Sequence, residues 1–318
     1  MYPKYYIGPM SKNVVDAILE FSFETGHKIG FIPSRRQVEY SGGYVNNWTT
    51  VEFAEHVKGK ALIKRDHSGP GQGYTDDDGY ESLKYDCENL DMIHIDPWKQ
   101  YPAYEEGLQW TVDMIKFCHK QNPDIEFEVG TEESIRKFET QEIDTLLTDL
   151  KLYLTQQEYR QIKYIVIQSG TSLKGNSNTG DYDRDRLLLM INVAKKHSLL
   201  CKEHNGDYIP TNLIKEKFNL GLDAINIAPE FGLIETQSYL DSAIDIDKFY
   251  NICNDSMRWR KWVSSDFIPE NNKKELIRIC GHYVLSNPKF LEIKPNIDRE
   301  IKNNIKNKLY ELIKDIEI

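Results

Sequence analysis

The chain has 318 residues, 40% hydrophobic and 28% charged, with a formal net charge of −10. That length can bury a large core, and no apolar run approaches the ~20 residues of a membrane span. The acidic balance and scattered basic residues argue against nucleic acid as a main partner, although a locally basic pocket can still take an anionic substrate.

The cysteines Cys87, Cys118, Cys201, Cys253 and Cys280 are odd in number and show no Cys-x-x-Cys spacing. Neither a disulfide framework nor a cysteine zinc site is expected. The first residues lack the basic-then-apolar pattern of a secretory signal, so the expected compartment is the reducing cytoplasm.

Short strand-like runs lie near Tyr5–Gly8, Lys28–Pro33, Ala61–Asp66, Asp91–Asp96, Ile125–Gly130, Lys163–Gln168, Leu199–His204 and Asp223–Ala228. Stretches of helical periodicity separate them, such as Val14-Val15-Ile18-Leu19 and Leu187-Leu188-Ile191-Ala194. Near-continuous apolar strands alternating with helices predict a parallel sheet covered by helices, and eight such units predict a closed (β/α)₈ barrel. The first run is short and aromatic-polar; without it the pattern fits an open doubly wound sheet. Residues 1–250 are read as the barrel. Residues 251–318 are read as a C-terminal helical extension packed on it, basic and broken near Pro269.

Polar residues gather where these runs end, which is where barrels of this kind place their chemistry. His67, Glu128 and His204 follow from the third, fifth and seventh runs. Two imidazoles and a carboxylate suit a divalent ion, zinc first, with a coordination position left for substrate. Asp66 precedes His67 and could act as a general acid or base if the strand end bends. Simpler readings stand beside these. Glu128 could pair with Arg35 or Lys64, and Glu132 could be a first-turn helix acid. His94, between apolar neighbours, reads as a core histidine. His27, His56, His119, His197 and His282 read as surface, and Asp76-Asp77-Asp78 as a solvated loop. Lys64 or Lys99 could form a Schiff base, but nothing in the pattern singles either out.

Several strand-end segments recur in a specific order. They are Ser34-Arg35-Arg36-Gln37-Val38 with Gly42-Gly43-Tyr44, Asp66-His67-Ser68-Gly69-Pro70 and Ile93-His94-Ile95-Asp96. Gly130-Thr131-Glu132, Gln168-Ser169-Gly170 with Asp181-Tyr182-Asp183, and Glu203-His204-Asn205-Gly206-Asp207-Tyr208 follow. Over about residues 10–235 this ordered set resembles the class II tagatose-1,6-bisphosphate aldolase non-catalytic subunit family. Some of its members once carried a tagatose-6-phosphate kinase label, and no kinase phosphate loop occurs here.

The resemblance implies the class II aldolase barrel. The related catalytic aldolases hold zinc with histidines, sometimes with a glutamate, and move a proton with an aspartate directly before the first zinc histidine. Asp66-His67 matches that pair, Glu126-Phe127-Glu128-Val129-Gly130 their Glu-x-Glu-x-Gly strand, and His204 their strand-seven histidine. Asn226 is placed like their substrate-contacting asparagine. The departure is at strand six, where Gln168–Gly175 holds no histidine. Arg35-Arg36 stands where the family has asparagine, adding positive charge.

The expectation is thus a metal-dependent aldolase-like protein acting on a ketose phosphate. His67, Glu128 and His204 would hold the metal, most simply Zn²⁺, and Asp66 would move the proton. Arg35, Arg36, Gln37, Gly43, Asp96, Glu132, Gln168, Gly170, Asn205, Gly206 and Asn226 would contact the sugar phosphate. The alternatives are a non-catalytic or stabilising subunit of a tagatose-bisphosphate aldolase and a sugar-phosphate epimerase or isomerase on the same barrel; the expected partner is a second copy of the chain or an aldolase subunit.

Overall fold

The computed structural model describes residues 2–314. Its strands are β1 (Tyr5–Ile7), β2 (Gly30–Phe31), β3 (Lys64–Ser68), β4 (Met92–Ile95), β5 (Glu126–Val129), β6 (Ile162–Ile167), β7 (Leu173–Lys174), β8 (Ser177–Asn178), β9 (Leu200–Glu203) and β10 (Ala224–Ile227). Eight form one parallel sheet in the order β2-β1-β10-β9-β6-β5-β4-β3. The bridges Phe31–Ile63 and Ser34–Asp66 join its two edges, so the sheet closes into the expected (β/α)₈ barrel. The Tyr5–Gly8 run is a true stave: β1 pairs with β10 from Tyr5–Ile225 to Ile7–Ile227, which removes the open-sheet alternative. β7 and β8 form an antiparallel hairpin in the loop after β6, a feature without a sequence signal.

A helix follows each stave: Lys12–Thr25, Thr50–Val57, Tyr80–Asn89, Tyr104–Gln121, Thr140–Tyr153, Arg184–Lys196, Thr211–Leu220 and Pro229–Asp241. Their starts follow ordinary capping chemistry. The Ser11 hydroxyl accepts from the Val14 N–H, and Thr49 forms a reciprocal capping box with Glu52. Val14, Val15, Ile18 and Phe21 then bury one face against the barrel.

Strand alternation sorts β3 between two environments. Lys64 turns inward to Glu128, while Arg65 turns outward to the helix Tyr80–Asn89. Arg65 is fully buried and donates to both Asp86 oxygens, at 2.9 and 2.6 Å, and to the Pro33 and Val38 carbonyls. This anchor holds the strand immediately before Asp66.

Beyond the barrel lie the helices Ile246–Asp255, Lys273–Cys280, Pro288–Leu291 and Asp298–Ile313, with a 3₁₀ turn at Pro269–Asn271 where the break is expected. Asp298–Ile313 packs on Lys12–Thr25 and Pro229–Asp241, burying Ile301, Ile305, Leu309 and Leu312. Part of the basic character of this segment is neutralised. Lys302 meets Glu20 at 2.5 Å, Lys306 meets Glu24 at 2.7 Å, and Lys308 meets Glu230 at 2.5 Å. His282 is a correction to the surface reading: it is buried in the 3₁₀ turn Gly281–Val284, its ring 4.0 Å from that of Tyr283. The five cysteines are free and buried.

Asp86→Ala leaves the Arg65 guanidinium buried without its partner and is expected to cost about 3–5 kcal/mol of stability, read from urea unfolding. Burial, together with Lys261 and Arg258, pushes the His282 imidazole down to about 3 from 6.5. The unfolded chain therefore takes up this proton first as the solution is acidified. Stability should fall below about pH 6.5 by up to about 1.4 kcal/mol per pH unit from this group. Urea unfolding of His282→Leu at pH 7, 6 and 5 should show a correspondingly shallower slope than the parent.

Candidate metal centre and cavity

At the C-terminal ends of β3, β4 and β9 the side chains of Asp66, His67, His94 and His204 converge. One ligand atom from each lies within 4.8 Å of all the others. The imidazoles form a near-regular triangle with centroid separations of 5.0, 5.0 and 4.9 Å. Asp66 and His67 are adjacent and would face opposite ways in a regular strand. The β3–β4 register shifts between Arg65 and Ser68, and His67 has φ +45°, a left-handed backbone rare outside glycine. This bulge turns both side chains into the site.

Each imidazole is oriented by one nitrogen. The Nδ1 of His67 donates to Asp96 at 2.6 Å, the Nε2 of His94 to the Gly130 carbonyl at 2.9 Å, and the Nε2 of His204 to Glu128 at 2.8 Å. These partners select the tautomers and turn His67 Nε2, His94 Nδ1 and His204 Nδ1 toward a shared centre, where His94 Nδ1 also accepts a long hydrogen bond from the His67 backbone N–H at 3.3 Å. His204 Nδ1 is buried without a hydrogen-bond partner, 3.8 Å from Asp66 Oδ1. An imidazole held through its second nitrogen by a carboxylate or carbonyl is the usual outer arrangement of a histidine metal ligand. The donor set therefore fits a divalent cation.

The local field agrees. Burial resists charge on His67, but Asp66 and Asp96 raise its imidazole to about 10. Burial pushes His94 down to about 3, leaving it a neutral donor. Burial opposes the Asp66 carboxylate, yet His67, His204, Lys64 and His94 together hold it below its ordinary range. The site thus favours positive charge at its centre.

Two corrections follow. His94 is buried with both ring nitrogens hydrogen-bonded, as a core histidine would be, yet its ring is also the third of the triangle. Glu128 lies beneath the triangle rather than in it. Its carboxylate meets Lys64 at 2.6 Å and Lys202 at 3.0 Å, as well as His204. The pairing with Lys64 is the simpler of the two readings open for it.

The site opens into a cavity of about 560 Å³ lined by Arg36, Gln37, Asp66, His67 and Glu132. A recess of about 200 Å³ beside it reaches His204, Asn205 and Asn226. Asn226 donates to Asp66 Oδ1 at 3.3 Å. Asp96 is the orienting partner of His67 and also accepts from Thr131 at 3.1 Å. Arg35 is corrected: it is buried and turned away, held by Glu39 at 2.6 Å and by Asp77 at 2.7 and 2.8 Å. Asp77 is thereby an ion-pair partner rather than a free loop acid. Gln168 braces the loop after β5, accepting from the Phe138 N–H at 2.9 Å and donating to the Thr131 and Arg136 carbonyls at 2.8 Å. Gly43, Gly170 and Gly206 serve close packing, since a Cβ would collide with Gln37, Asp181 and Ile225 respectively. Missed from sequence is a wall supplied by the C-terminal segment, including Arg258, Lys261, Trp262, His282 and Tyr283. Its only sequence signal is the Arg258-Trp259-Arg260-Lys261-Trp262 run.

No protein-family model and no curated protein sequence matches the chain. Solved structures do. A Sinorhizobium meliloti 1021 protein described as a "probable tagatose 6 phosphate kinase" superposes with TM-score 0.72 at 15% identity, covering 99% of this chain and 88% of that one. The YdjI aldolase of Escherichia coli K12 gives 0.62 at 12% identity, covering 98% and 90%. The fructuronate-tagaturonate epimerase UxaE of Cohnella laeviribosi gives 0.62 at 9% identity, covering 98% and 80%. These likenesses establish a shared barrel fold.

Protein equilibrated with zinc and desalted should retain about one ion per chain by elemental analysis. His94→Ala and His204→Ala should each abolish retention. Glu128→Gln should weaken zinc affinity by roughly 10–100-fold without abolishing it. Retention by His94→Ala with loss in Glu128→Gln would restore Glu128 as the ligand.

Proposed function

We propose that the chain is a metal-dependent aldolase-type lyase acting on a ketose phosphate or related sugar phosphate. The observation that carries this reading is the triangle of imidazoles with an ionised aspartate at its edge, at the open end of a barrel. His67, His94 and His204 would hold the ion, and this nitrogen-rich set suits zinc. Once bound, the ion supplies Lewis acidity toward a substrate carbonyl.

The remaining work falls to the chain. Asp66 Oδ2 lies 3.7 Å from His67 Nε2, so its carboxylate borders the same centre. It can accept the hydroxyl proton at the carbon–carbon bond being broken, and return it in the condensation direction. Asn226 fixes the other Asp66 oxygen. Gln37 and Glu132 line the cavity where sugar hydroxyls would lie. Asp96 and Glu128 stay behind the imidazoles and hold their orientation.

His94 also bears on the non-catalytic alternative. The missing strand-six histidine is the main reason for that reading, and β4 offers an imidazole in its place. An epimerase would use the same groups without releasing a fragment.

The deciding experiment is turnover of ketose phosphates by the zinc-loaded protein with product analysis. A three-carbon fragment is expected, with kcat reduced about 10²–10⁴-fold in Asp66→Asn. An isomerised sugar alone would reassign the reaction to epimerisation. No turnover of any ketose phosphate by the isolated chain, with activity appearing only beside a second aldolase subunit, would overturn the enzyme reading.

A further inference from the structure

The cavity that holds Asp66 and His67 is also lined by Arg36, Lys99, Arg258 and Lys261. Among the described residues none of these four forms an ion pair with a carboxylate. The Arg36 Nε donates to the Gly73 carbonyl at 3.1 Å and the Lys99 Nζ to the Gly71 carbonyl at 2.8 Å. Carbonyls orient a cation but leave its charge uncancelled. Arg258 sits among the rings of Tyr74, Tyr283 and Tyr44, at 4.8, 5.3 and 5.4 Å from their centroids. Those rings position the guanidinium and again supply no counter-charge.

This pattern contrasts with the rest of the chain. The net charge is −10, and acids are abundant. Elsewhere in the same C-terminal segment Lys302, Lys306 and Lys308 each meet a glutamate. The cavity wall instead brings these four cations together with no carboxylate paired to any of them, although Asp66 and Glu132 line the same cavity. Lys261 is open to solvent at the mouth, yet enclosure in the wall, followed by Arg36, Lys99 and Arg258, brings its ammonium down to about 8. Cations gathered this way repel one another until an anion arrives. Two arginines and two lysines exceed what one carboxylate can neutralise, whereas a phosphoryl dianion offers a double charge and three acceptor oxygens.

We propose that Arg36, Lys99, Arg258 and Lys261 form a phosphoryl-binding subsite, two members of which come from the C-terminal segment. The further statement that a substrate runs from this wall to the imidazole triangle rests on the proposed function; the subsite itself does not.

The test uses the full chain, stripped of metal by chelator, titrated calorimetrically with inorganic phosphate at constant ionic strength. Saturable binding is expected, weakened about tenfold or more by Lys261→Met and by Arg258→Gln. Lys196→Met, at an exposed ion pair with Asp144 outside this cavity, should bind phosphate as the parent does, and acetate should not compete. Lys261→Met keeps the aliphatic stem and serves as the deciding variant if Arg258→Gln disturbs the tyrosine cage. Absence of saturable binding, equal affinity in Lys261→Met, or competition by acetate at equal concentration would each overturn the subsite. Loss of zinc retention with phosphate binding intact would instead sink the metal reading and leave the subsite standing.

Discussion

One buried carboxylate organises the polar interior of this barrel. Glu128 is fully enclosed, and an isolated carboxylate there would cost several kcal/mol or lose its charge. Lys64 from β3 and Lys202 from β9 compensate it, and the Tyr6 ring lies 3.4 Å from the Lys202 ammonium. Burial opposes the ionised form, yet Lys202, Lys64 and His204 hold Glu128 well below the usual carboxylate range. The same oxygen that meets Lys64 also takes the His204 Nε2–H. Three staves are thus tied together directly beneath the imidazoles, and the tautomer of His204 is a by-product of core electrostatics. The site and the core share one charge balance.

Above that layer the staves stop behaving as regular strands. His67 and Asn205 both adopt positive φ, at 45° and 60°. Such backbones are costly for non-glycine residues and persist only where the surroundings enforce them. At His67 the enforcement is visible on either side: Arg65 is locked to Asp86, and Asp96 holds the imidazole.

Much of this was legible in the sequence. The eight runs coincide with the eight staves because buried parallel strands are apolar on both faces, a pattern that survives without knowledge of the partners. Asp66, His67 and His204 stand out because charge at a strand end is expensive unless used. His94 was hidden by the same logic: Ile93 and Ile95 make its surroundings look apolar along the chain, while its neighbour across the sheet is Glu128. Arg35 misleads in the opposite direction. Its strand-end position suggests the cavity mouth, but Glu39, one helical turn on, and the distant Asp77 capture it. Of the cationic wall only Arg36 was legible as a phosphate contact, since its members are separated by up to 225 residues, from Arg36 to Lys261.

The contact between the first and last elements has a consequence for how the chain reaches this state. The Tyr5 hydroxyl on β1 donates to the Leu312 carbonyl at 2.8 Å, and the Asp298–Ile313 helix covers the Lys12–Thr25 helix. β1 sits between β2 and β10. During synthesis β2 emerges soon after β1, but β10 and the Asp298–Ile313 helix emerge far later, so the other edge of β1 waits unpaired while the intervening staves form. Closure is therefore a late, long-range event, of the kind that slows folding and leaves unpaired strand edges exposed in the meantime.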